Sequence, residues 1–256
     1  MRLSRLAAAV ILAATALLVP GERPVPGTAW WTDPATGQLT AAVDSTVTGP
    51  ALARVEATAA RVERYPGRFT EHLSGGDTFL NGSYRCTVGF NVVDNLGVLY
   101  FLTAAHCVGA VGSPVPNIGV VTGRNTTYDY AIVKYTNPNI PKPGNVTLHN
   151  GSFQDIVPPA SNGLVGQAVR RSGGTTGVRS GTITAVNVTV NYPSGTVYGL
   201  IRTNICTEPG DSGAPLFSGT KAIGLASGGS GNCTSGGISF YSPVTRPLSA
   251  YGVNVY

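Results

Sequence analysis

The segment Gly210-Asp211-Ser212-Gly213-Ala214-Pro215 sets a serine between glycines, and well upstream Thr103-Ala104-Ala105-His106-Cys107 sets a histidine beside a cysteine. A serine hydroxyl is a poor nucleophile until a base takes its proton, so the two segments read as a nucleophile and its general base. Glycine beside Ser212 leaves room for a substrate carbonyl. His106 follows the apolar run Phe101-Leu102-Thr103 and is fixed by Cys107, a rigid mount for a base.

From Leu73 onward there are few rivals for acid–base work: two histidines, His106 and His149, and the carboxylates Asp77, Asp94, Asp129, Asp155, Glu208 and Asp211. His149 sits in a turn-like Leu-His-Asn-Gly and reads as exposed, as do Asp94 and Asp155. Asp129 leads into Tyr130-Ala131-Ile132-Val133, which reads as a buried strand. A charge there is costly unless hydrogen-bonded. Asp129 is therefore the expected carboxylate that orients His106 and stabilises its imidazolium. The backbone N–H groups of Gly210 and Ser212 are expected to face the developing oxyanion. Asp211 is not read as a base: it needs a cation to hold the turn, and Arg170 or Arg171 is expected to supply it. Gly-Asp-Ser-Gly alone fits an ordinary turn; its weight comes from the partner histidine. The order His, Asp, Ser and the lack of a Gly-x-Ser-x-Gly elbow exclude the α/β-hydrolase arrangement.

These residues must be carried by strands. The 256 residues include 34 Gly and 18 Pro with only 11% charged, which suits short strands and tight turns rather than a helical bundle. Arg85–Val93 and Val98–Leu102 read as a hairpin around Asp94-Asn95-Leu96-Gly97, and Thr182–Val190 and Thr196–Arg202 as another around residues 191–195. Lys221–Leu225 reads as a short strand, and Val244–Tyr251 as a terminal helix with Pro247 early in it. Ahead of this all-β region, Ala51–Val62 reads as a helix ended by Pro66-Gly67. At the start, Arg2 and Arg5 precede an apolar run, Leu6–Val19, that is too short to span a bilayer and fits a secretory signal. The expected division is a signal over 1–29, a helical pro-segment over 30–72, and one all-β domain over 73–256.

Four cysteines in a secreted chain suggest two disulfides, with three pairings open. The local one, Cys86–Cys107 and Cys206–Cys233, is preferred. No Cys-x-x-Cys pair invites a metal. The net charge of +5 is scattered, with Arg170-Arg171 the only adjacent basic pair, so no nucleic-acid face is expected, and no later segment reads as a membrane helix.

Taken together, Phe101–Cys107, Asp129–Val133, Cys206–Gly213 and Ser227–Cys233 resemble the chymotrypsin-type serine proteases, most of all their secreted bacterial branch, the streptogrisins and alpha-lytic protease. The likeness covers Leu73–Tyr256. It implies two six-stranded antiparallel β-barrels with a triad of His106, Asp129 and Ser212 at their interface, and the same local disulfides. It implies that Ser227, Gly228 and Gly229 form an edge that pairs with the substrate backbone. It further implies polypeptide substrates, no cofactor, secretion, a monomeric enzyme, and a pro-segment that acts as folding aid and inhibitor. The family selects Arg or Lys with an acid before the nucleophile, where this chain has Thr203-Asn204-Ile205-Cys206. Its glutamate-specific members carry a histidine where this chain has Ala226. Both differences imply a neutral pocket for large apolar residues on the acyl side of the cleaved bond (P1). Ala214 replaces the second glycine usual after Ser-Gly. If Arg170 or Arg171 already holds Asp211, the new amino terminus near Leu73 need not insert to activate the site. The rival from another class is a non-catalytic binding protein on the same barrels; retention of all three triad residues speaks against it.

Overall fold

The computed structural model describes residues 25–65 and 73–256, so most of the expected signal and the Pro66-Gly67 break lie outside the described residues. The chain divides into two units at Thr70/Glu71.

The first unit is not simply helical. Strands β1 (Thr28–Thr32) and β2 (Leu39–Val43) pair antiparallel, helix α1 (Gly49–Thr58) follows, and β3 (Arg61–Arg64) pairs parallel with β2. Pro50 opens α1, where its missing N–H costs nothing. The helix stops short of the expected Val62 because Val62 lies opposite Ala41 in the sheet and packs with Ala41, Val43, Val47 and Val55. Tertiary pairing thus overrides an alanine-rich helical run. Thr28 and Ala29, expected to belong to the signal, pair with Val43 and Ala42.

In the second unit, β4 (Thr78–Asn81) and β5 (Tyr84–Thr87) form a hairpin. Then come β6 (Asn91–Asp94), β7 (Leu99–Thr103), β8 (Pro114–Val115), β9 (Gly119–Asn125) and β10 (Tyr130–Tyr135). A small hairpin of β11 (Asn145–Thr147) and β12 (Phe153–Asp155) separates these from the next set. That set is β13 (Ala168–Gly173), β14 (Gly177–Tyr192), β15 (Gly195–Thr203), β16 (Pro215–Ser218), β17 (Lys221–Asn232) and β18 (Gly236–Pro243). Helix α2 (Thr245–Tyr251) and β19 (Val253–Val255) end the chain.

The later set closes into a six-stranded antiparallel barrel in the order β13-β14-β15-β18-β17-β16. The earlier set is a six-stranded antiparallel sheet in the order β19-β6-β7-β10-β9-β8; its sixth strand comes from the far end of the chain, and its ladder among the described residues runs from β19 to β8 without closing. The expected first strand Arg85–Val93 is broken, since β5 pairs with β4 while β6 pairs with β7 across the Asp94–Val98 turn. Asp94 is half-buried rather than exposed. It builds that turn by accepting bonds from the N–H of Leu96 and Val98, both 2.9 Å, and from Tyr100 Oη at 3.0 Å. These bonds hold its carboxyl below the ordinary aspartate range. No helix among the described residues is long and apolar enough to cross a membrane.

Two cores fill the two strand sets: one around Phe79, Val88, Phe101 and Val133, the other around Val169, Ile183, Leu216 and Tyr241. A third joins them, with Phe90 and Leu102 against Phe217 and Leu225. Gly89 lies at this junction, where an added Cβ would overlap the Leu225 side chain and the carbonyl oxygens of Leu102 and Gly213. Gly89→Ala is expected to destabilise the protein by about 1–3 kcal/mol, the scale of overpacking a filled core, read as a lower denaturation midpoint.

Candidate active site

Both disulfides follow the local pairing: Cys86–Cys107 and Cys206–Cys233. The first ties the end of β5 to the short 3₁₀ turn Ala105–Cys107 that carries His106.

Asp129 stands at the start of β10 with a left-handed backbone, φ 53°, which aspartate tolerates better than most residues. Its carboxylate is 5% exposed and fully engaged. Oδ1 accepts the backbone N–H of His106 at 3.2 Å, His106 Nδ1 lies 2.9 Å from Oδ2 and 3.1 Å from Oδ1, and Ser227 Oγ donates to Oδ2 at 2.6 Å. An ionised carboxylate only accepts, so Nδ1 carries the proton and Nε2 of the neutral ring is left as an acceptor. The imidazole is 44% exposed, open to the cleft. His149 is exposed in its turn, with φ 56°, and Asp155 is exposed on β12.

Ser212 lies in the turn between β15 and β16. Its carbonyl accepts the N–H of Thr87 at 2.8 Å, and the Thr87 hydroxyl donates to the carbonyl of Gly210 at 2.7 Å, so β5 grips the turn from the other strand set. Gly213 has φ 85°, and a Cβ there would overlap Thr103 Oγ1 and the Thr87 carbonyl; only glycine fits. Ala214 has no such demand: its φ is not positive, and its methyl is fully buried in the second core. No hydrogen bond joins Ser212 Oγ to His106, a contact that often tightens only with substrate bound. Ser212 and His106 line two adjoining clefts that share Gly228 and Gly229.

The N–H groups of Gly210 and Ser212 are aimed by what holds the opposite side of each peptide plane. The Pro209 carbonyl accepts Thr175 Oγ1 at 2.9 Å and the Asp211 carbonyl accepts the Ala214 N–H at 3.0 Å. In a trans peptide the N–H then points the other way. Among the described residues neither N–H donates to a protein acceptor.

Asp211 and Arg171 are both fully buried and meet at 3.2 Å. Asp211 also accepts the N–H of Thr175 and Thr176 at 3.1 Å, the Thr176 hydroxyl at 2.7 Å and the N–H of Glu208 at 3.0 Å. The guanidinium donates to Thr176 Oγ1, the Gly177 carbonyl and, at 2.7 Å, the Cys206 carbonyl. Arg170, the other candidate, points to the opposite face of β13 and covers the Phe217 ring. Gly173 makes room for the pair, since a Cβ there would overlap both partners.

The ladder between β16 and β17 ends at Leu225, and Ala226 is still bonded to Gly213 and Ala214. From Ser227 on, β17 keeps only β18 as a partner, so the other edge of Ser227, Gly228 and Gly229 is free beside the cleft. Two roles meet in Ser227: backbone edge and side-chain donor to Asp129. A cavity of about 270 Å³ opens beside Ser212, lined by Thr207, Glu208, Pro209, Ala226, Gly228 and Gly229 among others. Glu208 was not expected there. Its Oε1 accepts the Cys233 N–H at 3.0 Å, which keeps the carboxylate against the wall. Among the described residues no cluster of three or more His, Cys, Asp or Glu could hold a metal ion.

A histidine and a buried carboxylate beside a glycine-framed serine, on two joined six-stranded antiparallel sets, define a serine protease of the chymotrypsin-like fold. The family described as Trypsin matches residues 73–250, and the chain belongs to it, among the streptogrisin-type serine proteases. Streptogrisin-A of Streptomyces griseus is 50% identical over 239 residues, covering 90% of this chain and 79% of its own length. Glutamyl endopeptidase 2 of the same organism is 47% identical over 188 residues, covering 71% of this chain and 98% of its own. The solved structure of Thermobifida fusca Protease A superposes with a TM-score of 0.68 at 39% identity, covering 72% of this chain and 98% of that one.

Arg171→Met is expected to destabilise the protein by about 3–5 kcal/mol, because it strands a buried aspartate. Arg171→Lys rescues little, since one ammonium cannot reproduce the fork's contacts. Urea denaturation of both variants checks this; a midpoint within error of the parent contradicts it.

Proposed function

We propose that this serine protease cleaves peptide bonds through Ser212, His106 and Asp129, with the N–H groups of Gly210 and Ser212 as its oxyanion hole. The observation that carries this is the Asp129–His106 contact, which leaves Nε2 as the only open acceptor of the ring, in a cleft that adjoins the one Ser212 lines and shares Gly228 and Gly229 with it. Ser212 Oγ attacks the substrate carbonyl as Nε2 takes its proton. The oxyanion is held by the two free N–H groups, each such donor lowering the barrier by about 3 kcal/mol. The imidazolium, stabilised by Asp129, then protonates the leaving amine as the scissile bond breaks. Water, deprotonated by Nε2, attacks the acyl carbonyl; the ester bond to Ser212 breaks, the acid leaves, and the His106 imidazolium returns the proton to Ser212 Oγ. The substrate backbone adds to the free edge at Ser227–Gly229, which sets P1 into the cavity beside Ser212.

For P1 we favour large apolar side chains such as Phe, Leu, Tyr and Met. Among the described residues the cavity has no histidine or other cation in its lining. The sequence implies a cavity free of acids, but Glu208 stands in its wall with Oε1 accepting the Cys233 N–H; the carboxylate disfavours an acidic P1. We further propose secretion under the signal within 1–29, a pro-segment over 30–72 that assists folding and inhibits, and a monomeric mature domain over 73–256.

On chromogenic peptides that differ only at P1, Phe and Leu are expected to exceed Glu by roughly 10- to 150-fold in kcat/KM, the worth of about 1.5–3 kcal/mol from burying one such side chain. Ser212→Ala should lose on the order of a millionfold in kcat. Cleavage preferentially after Glu or Arg overturns the pocket assignment, and an active Ser212→Ala overturns the nucleophile. Since Arg171 already holds Asp211, a one-residue extension before Leu73 should leave activity unchanged; its loss would mean that the free amino terminus is needed.

A further inference from the structure

Asp129 is flanked by two tyrosines, and both are touched by one helix. Arg246, in the first turn of α2, lies over the Tyr128 ring with its guanidinium carbon 4.3 Å from the centroid. Tyr251, in the last turn, meets Tyr130 edge to face at 5.8 Å. Arg246 also donates through Nη1 to the Tyr198 carbonyl at 3.2 Å. The N–H of the same Tyr198 donates to the Thr127 carbonyl at 3.1 Å. Arg246 thus reaches the turn before Asp129 twice, directly through Tyr128 and through Tyr198 to Thr127. Gly199 lies on its other side, where an added Cβ would overlap the guanidinium. Gly123 gives the same clearance to the Tyr251 ring. Within the turn, the Tyr128 N–H donates to Asn125 Oδ1 at 3.1 Å.

This matters because Asp129 occupies a backbone region that non-glycine residues enter sparingly, and such a residue persists only where its surroundings over-determine it. Its own side-chain contacts, to His106 and Ser227, are the ones the chemistry uses. The backbone on either side is held elsewhere: β10 pairs with β9 from Tyr130 on, and α2 packs against the rings of both flanking tyrosines.

We infer that Arg246 is a positioning residue for the carboxylate: stacked on Tyr128 and bonded to Tyr198, it fixes the turn that presents Asp129 to His106. The inference rests on the triad reading above. It touches neither substrate nor the reacting atoms, so its removal should lower kcat and leave KM unchanged. A misplacement of about 1 Å away from the chemistry can cost up to a hundredfold, so a fall of about 10- to 100-fold is expected.

The test compares Arg246→Met, Tyr128→Leu, Tyr128→Phe and the Arg246→Met/Tyr128→Leu pair with Asp129→Asn. For each folded variant it reads kcat, KM and the low-field proton NMR signal of the His106 Nδ1–H. Arg246→Met and Tyr128→Leu should each lower kcat at constant KM and weaken or shift that signal. Tyr128→Phe keeps the ring and should match the parent. The double variant should be no worse than the poorer single one, because both remove the same contact. The inference is overturned if Arg246→Met and Tyr128→Leu keep the parent kcat and signal, if KM alone changes, or if kcat falls with the signal intact. Should Arg246→Met not fold, the Tyr128 pair decides by the same readings. An Asp129→Asn variant with parent kcat and signal would instead refute the triad reading itself.

Discussion

The turn that carries Ser212, the proposed nucleophile, depends on one buried ion pair. Asp211 immediately precedes Ser212, and with no water around it the carboxylate must find all its partners in the protein. Arg171, the Thr175 and Thr176 amides, the Thr176 hydroxyl and the Glu208 amide supply them. Such a pair is weak as a source of stability against an apolar alternative, but removing one partner is severe. Its value here is geometric. It ties β13 and the loop after it to the residues on both sides of Gly210, and so sets the peptide planes whose N–H groups are left free. Gly173 makes way for the pair, and Gly210, at φ 97°, leaves room for Thr175 Oγ1.

The second constraint is how the two strand sets are joined. His106 and Asp129 come from the first, Ser212 and Ser227 from the second. Thr87 bonds to both Gly210 and Ser212, the Phe90–Leu102–Phe217–Leu225 core packs across the same seam, and Ser227 closes onto Asp129. Donors from both sets converge on the buried Asp129 carboxylate and satisfy its oxygens. His106 lines one cleft and Ser212 the adjoining one, with Gly228 and Gly229 of the strand edge shared by both.

Much of this was legible in the sequence where residue type carries chemistry. His106 stood out because few histidines were on offer, Ser212 because Gly-Asp-Ser-Gly follows such a histidine in the chain, and Asp129 because a lone acid opened an apolar strand. The turns at Asp94–Gly97 and Asn191–Gly195 and the final helix were legible from local signals. Choices that depend on strand register were not. Arg170 and Arg171 are adjacent, and successive residues in a strand face opposite ways, so only the barrel decides which one meets Asp211. Glu208 in the cavity wall, the Ser227 hydroxyl on Asp129 and the pairing of β19 with β6 are all long-range. The Ala51–Val62 helix failed at its end for the same reason: Val62 gains more from pairing with β2 than from another helical turn.

If His106 activates Ser212 as the nucleophile, Ser212 must show covalent reactivity that depends on His106. The most direct measurement is covalent titration with a fluorophosphonate, which phosphonylates activated serines and expels fluoride, followed by mass-spectrometric mapping of the adduct. The account predicts stoichiometric labelling at Ser212 alone, lost in His106→Ala. Labelling of another residue, or equal labelling of Ser212 without His106, would contradict it.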